Sequence, residues 1–97
     1  MIDLPADQLA RVCHIVRQHV HGGAVFAFGS RVSGRAKKFS DLDLMIKATG
    51  ALPWRTLADL RESFEASDLP ITVDVVDWNT CTEQFRNLVG AQLVRID

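Results

Sequence analysis

Three short runs constrain the fold most: AVFAF (24–28), DLDLMIK (41–47) and ITVDVVDW (71–78). Each has the length of a strand, and each carries branched or aromatic side chains that suit a pleated surface. AVFAF is wholly apolar and reads as a buried strand. DLDLMIK alternates strictly, with Asp41, Asp43 and Met45 on one face and Leu42, Leu44 and Ile46 on the other. That pattern predicts one face in the core and an acidic rim opposite. Helical spacing fills the intervals. Leu9, Val12, Cys13, Val16 and Val20 form one apolar stripe in a helix over residues 5–20, and Gly22-Gly23 end it. Pro53 opens a second helix to about Ala66. Asn79 or Thr80 caps a last one, with Glu83 in its first turn and Phe85, Leu88 and Val89 along it. Residues 31–39 read as a short helix or an irregular loop, and AQLVRI as a short closing strand. The order predicts a single domain over residues 1–97 of the α/β (α+β) class, a mixed sheet of three to four strands packed against helices.

Composition narrows the function classes. A net charge of −1 over 97 residues gives no global pull toward nucleic acid or anionic membrane, so any electrostatic role rests on local clusters. No basic stretch followed by an apolar run opens the chain, and no segment reaches the ~18 apolar residues of a membrane span. The two cysteines have no metal-ligand spacing, and a reducing, cytoplasmic setting is expected. Cys13 falls in the apolar stripe and reads as a buried structural thiol. Cys81 lies where a helix start can lower a thiol pKa, but nothing beside it argues for reactivity. His19 and His21 lack a third ligand for zinc. Trp54 and Trp78 have no basic interleaving that would suggest RNA binding, and no direct nucleic-acid contact is expected.

The chemistry lies in carboxylates. Asp41 and Asp43 leave the same face of one strand, with Cα atoms about 6.6 Å apart at roughly 3.3 Å per residue. Carboxylates so close repel each other unless a cation lies between them, and Mg²⁺ accepts one or two carboxylates with substrate phosphates. Asp74 sits in the middle of a strand otherwise fit for the core, where aspartate is disfavoured. If that strand pairs beside residues 41–47, Asp74 completes a three-carboxylate cluster suited to a two-metal site. Asp77 has the opposite parity and reads as structural or solvated.

The stretch GSRVSGRAKK precedes the acidic strand. Gly29 and Gly34 have the spacing of a P-loop, but Arg35-Ala36 stand where Lys-Ser/Thr is required, which excludes that loop. A strand ending in Gly29-Ser30 can still hold phosphate oxygens on backbone N–H groups and the Ser30 hydroxyl. Arg31, Arg35, Lys37 and Lys38 add charge there or form a solvated loop, with Arg31 the participant favoured.

Phe28-Gly29-Ser30, Asp41-Leu42-Asp43-Leu44 and Val73-Asp74-Val75, in that order, resemble the DNA polymerase β-like nucleotidyltransferase superfamily. The phrase GSRVSGRAKKFSDLDL is most similar to its minimal nucleotidyltransferases (MNT), with Val32 where alanine is frequent, and the likeness runs from about residue 5 to 95. The resemblance implies a nucleotidyltransferase fold in which Asp41 and Asp43 bind two Mg²⁺ ions. It implies that Asp74 binds one of them and helps to deprotonate an acceptor hydroxyl. Gly29 and Ser30, with Arg31, would hold the triphosphate of ATP. It further implies an antitoxin partnered with a HEPN ribonuclease toxin, to which AMP is transferred. The alternative is a binding module of the same fold that neutralises its partner by contact. Self-association is left open.

Overall fold

The computed structural model describes residues 2–97. The elements are α1 (Ala6–His19), β1 (Ala24–Phe28), α2 (Ser30–Ser33), β2 (Leu42–Lys47), α3 (Trp54–Ala66), β3 (Val73–Asp77), α4 (Glu83–Gly90) and β4 (Val94–Arg95), with a 3₁₀ turn at Trp78–Thr80. The strands form one mixed sheet in the order β3-β2-β1-β4. β1 runs antiparallel to β2 and β4, while β2 and β3 are parallel and joined through α3. A parallel pair needs such a crossover, and the helical run between the two strands supplies it.

The alternation of β2 decides which face is covered. Leu42, Leu44 and Ile46 are fully buried with Val25 and Ala27 of β1 and Val73 and Val75 of β3. Val12, Ile15 and Val16 of α1 and Leu60 and Phe64 of α3 close over them. The opposite face keeps its acidic end at Asp41 and Asp43 but is covered beyond it. Met45 is also fully buried, in a smaller cluster with Phe28 and Val89, bordered by Phe26, Val76, Trp78 and Phe85. α4 lands on this half of the face and turns an alternating strand into one buried on both sides beyond Asp43. At the end of β2 the Lys47 ammonium lies 4.0 Å from the Trp78 ring centroid and 5.1 Å from that of Phe26.

The start of α4 also differs from expectation. Thr82, not Asn79 or Thr80, caps the helix by accepting the Phe85 N–H at 3.1 Å. Asn79 and Thr80 are drawn into the preceding turn by Asp77. The Asp77 carboxylate accepts the Asn79 N–H at 3.0 Å and the Leu52 N–H at 2.8 Å, and the Thr80 hydroxyl donates to the Asp77 carbonyl. Asp77 is 2% exposed, so it is the structural aspartate of the chain and ties the end of β3 to the approach to α3. Asp77→Ala leaves two backbone donors without their carboxylate and should cost about 2–3 kcal/mol. A melting temperature lower by about 10 °C or more is the expected calorimetric result.

Candidate active site

The parallel register of β2 and β3 sets Asp43 directly beside Asp74, with Leu42 beside Val73 and Leu44 beside Val75. The helix-covered face takes Val73 and Val75, which sends Asp74 to the other side with Asp43. Asp41 precedes β2 on the same parity and is exposed. β1 runs antiparallel on the other flank and ends with Phe28 opposite Asp43. Its continuation, Gly29-Ser30, therefore arrives at the acidic end of β2. Three carboxylates and the Gly-Ser turn are thus brought to one end of the sheet by strand pairing alone.

Gly29 is fixed by its backbone, and it also lies against a catalytic candidate. Its backbone lies at φ 79°, ψ −150°, a region that side-chain-bearing residues avoid. A Cβ built there would also overlap the Asp43 Oδ2 atom. The glycine leaves room for the carboxylate, and the chain then turns into α2, where Val32 and Ser33 donate to the Gly29 carbonyl at 3.1 Å.

The electrostatics follow from the register. Burial pushes the Asp43 carboxyl above the usual carboxylate range, and the neighbouring charges of Asp74 and then Asp41 push it further the same way. Among the described residues, no ion pair or side-chain hydrogen bond engages any of the three carboxylates. They stand side by side rather than gathered round one point: no three acidic, imidazole or thiol side chains among the described residues form a ready ligand set. Asp41 and Asp74 are exposed on the same side of the strand pair as Asp43. Hard oxygen donors of one charge, without a protein cation, suit a divalent metal, and these residues fit one.

The raised Asp43 carboxyl predicts a stability effect. It binds its proton more tightly in the folded chain than in the unfolded one, so stability is greatest below the ordinary carboxylate range and falls as pH rises through the raised value. At neutral pH the ionised group opposes folding. Asp43→Asn should therefore raise the melting temperature of the metal-free chain by a few degrees at pH 7, modestly because the site is partly open to solvent. The gain should vanish near pH 3, where the wild-type carboxyl is protonated too.

A groove of about 970 Å³ runs along the free edge of β3 and contains Asp43 and Asp74. Its aromatic wall is Phe28 and Phe85, packed edge to face with centroids 6.1 Å apart. Phe28 and Phe85 were legible as a strand and a helix residue, but not as neighbours of the acids. Their meeting depends on where α4 lands.

Arg31 corrects an expectation. Instead of facing a phosphate, it is 6% exposed, and its guanidinium donates to the carbonyls of Ser40 (2.8 and 3.0 Å), Asp3 (2.9 Å), Lys38 (3.3 Å) and Lys37 (3.4 Å). A planar fork with several donors suits this role, because it can satisfy several carbonyls at once. Arg31 pins the turn that leads into the acidic strand. Arg35, Lys37 and Lys38 remain exposed. Cys81 is unreactive in character as expected, since burial raises its thiol pKa, and its sulfur lies 3.3 Å from the Asp77 carbonyl. Cys13 is half-buried and donates to the Ile96 carbonyl.

A mixed four-stranded sheet with a Gly-Ser turn and three acids at one end is the arrangement that the resemblance to nucleotidyltransferases implies. The chain belongs to the family described as Polymerase beta, Nucleotidyltransferase, whose sequence profile matches residues 11–95. It is 46% identical over 88 residues to the "Probable protein adenylyltransferase MntA" of Haemophilus influenzae, covering 91% of this chain and 77% of that protein. The fold is shared with a crystal structure of a toxin–antitoxin with AMP-PNP, at a TM-score of 0.78 and 22% identity over 92% of this chain and 72% of that one. It is shared too with a structure of the tri-AMPylated Shewanella oneidensis HEPN toxin in complex with MNT antitoxin, at a TM-score of 0.69 and 20% identity over 92% and 68%. Nucleotidyltransferases of this kind generally use a divalent metal. Among the described residues, no helix is long and apolar enough to cross a membrane.

Proposed function

We propose that this chain transfers AMP from ATP to a hydroxyl on a HEPN-type partner protein, uses Mg²⁺ to do so, and acts thereby as the antitoxin of the pair. The observation that carries the reading is the in-register pairing of Asp43 with Asp74, beside Asp41 and the Gly29-Ser30 turn. The similarity to the Haemophilus adenylyltransferase over nearly the whole chain supports the donor and the reaction class. The antitoxin and AMPylation named for the structural relatives support the partner.

Each residue has a part in this reading. Asp41 and Asp43 would hold two Mg²⁺ ions, with Asp74 on one of them, supplying charge neutralisation at the phosphates and a lower pKa for the acceptor hydroxyl. Gly29 leaves space for the Asp43 carboxylate and, with the Ser30 hydroxyl and backbone, orients the triphosphate. Asp74, exposed at the groove, takes the acceptor proton as the acceptor oxygen bonds to the α-phosphorus. The bond from that phosphorus to the oxygen bridging to the β-phosphate breaks, and pyrophosphate leaves. Phe28 and Phe85 form an apolar wall that limits water beside the reacting groups.

The test is incubation with Mg²⁺, ATP labelled in the adenine and a candidate HEPN-type partner protein. Label should appear on the partner, and mass spectrometry should show the added mass of AMP. Absence of label with a partner that nonetheless binds and is neutralised would favour the non-catalytic binding module instead.

A further inference from the structure

The turn before β2 carries features that the carboxylate site does not use. Phe39 is 75% exposed although it lies only two residues ahead of Asp41. A hollow of about 220 Å³ opens beside its ring, lined by Pro5, Gln8, Pro70 and Ile71. Pro70 and Ile71 also line the groove that contains Asp43 and Asp74, so the hollow adjoins the groove across a shared wall. Lys38 lines it as well, exposed Arg35 and Lys37 lie on the same turn, and none of the three is ion-paired among the described residues. The Lys38 ammonium lies 5.4 Å from the Phe39 ring centroid.

The turn is also held rigid. Besides the Arg31 guanidinium beneath it, the Lys37 N–H donates to Ser40 Oγ at 2.8 Å and the Ser40 N–H to the Lys37 carbonyl at 3.1 Å. An exposed aromatic on a fixed backbone loses little freedom on binding, which is the character of an interface anchor. Exposed cations on the turn beside an apolar hollow are complementary to carboxylates flanking an apolar side chain. From this charge complementarity and the wall shared with the groove, we propose that the Phe39 turn docks an acidic segment of the acceptor protein. One apolar side chain of that segment enters the hollow, and its carboxylates meet Lys37 and Lys38. The modified hydroxyl is thereby presented to Asp74. This assignment rests on the acceptor being a protein, as in the reading above.

The test uses two synthetic peptides of equal length with one central hydroxyl side chain, one with leucine and glutamates flanking it, the other with leucine and lysines. Each is titrated into the ¹⁵N-labelled chain without metal or nucleotide, so binding is read independently of transfer. The glutamate peptide should bind about tenfold more tightly and shift the amides of Lys38, Phe39 and Ile71. Phe39→Ala should weaken it by about tenfold or more, and Lys37→Glu/Lys38→Glu should reverse the preference. Equal binding of both peptides, or shifts gathered elsewhere, would overturn the proposal. So would a nucleotide affinity that collapses in the lysine double variant, which would make the patch a phosphate surface. Docking that holds while the labelled-ATP assay stays blank would sink AMP transfer and leave the docking surface standing.

Discussion

Asp41→Ala/Asp43→Ala should lower AMP transfer to the partner by about a thousandfold or more, because metal-supplied charge stabilisation is worth several kcal/mol and each 1.4 kcal/mol is tenfold. The chain should nonetheless remain folded. Both positions lie outside the apolar cluster that α1 and α3 cover, and neither carboxylate makes a hydrogen bond or ion pair with a described residue. The double variant should melt no lower than the wild type in the absence of metal, since it removes repulsion rather than a contact. Addition of Mg²⁺ should raise the melting temperature of the wild type only. The decisive measurement pairs labelled-ATP transfer with melting curves: a variant that is stable and inactive assigns the acids to chemistry. If transfer persists, the acids are not the metal ligands. If instead transfer is lost and the partner is still neutralised, antitoxin action requires contact alone.

Much of this site was legible because period-two alternation is a local property. DLDLMIK could be assigned its two faces from the sequence, and the burial of Leu42, Leu44 and Ile46 follows that assignment. The meeting of Asp74 with Asp43 was conditional on a pairing that no local pattern fixes. It is set by the parallel crossover through α3 and by which neighbour β3 finds. Met45 shows the limit of the same reasoning, since its burial depends on α4 returning over the second face. Arg31 shows another. Four cations within eight residues look alike in sequence, and what separates Arg31 is a set of carbonyls that includes one from Asp3, 28 residues away. The cap of α4 was misplaced for a different reason: the Asp77 carboxylate competes for the N–H of Asn79 and closes a turn there first.

Gly29→Ala should also be damaging, through geometry rather than charge. The backbone conformation at Gly29 is one that alanine reaches only at a cost of about 1–3 kcal/mol. The new methyl would in addition meet the Asp43 carboxylate, so either the turn or the metal-binding side chain must move. Transfer should fall by about a hundredfold or more, since small misplacements of reacting groups carry costs of that size. The two contributions can be separated by a double-mutant cycle with Asp43→Ala. In that background the methyl has no carboxylate to meet, and only the backbone cost remains. Gly29→Ala should therefore lower the melting temperature less in the Asp43→Ala variant than in the wild type, which is the non-additivity expected of groups in contact. Equal losses in both backgrounds would mean that Gly29 serves the turn alone. A larger loss with Asp43 in place would mean that the chain keeps a glycine here to leave room for a carboxylate, and so ties the Gly-Ser turn and the acidic strand into one site.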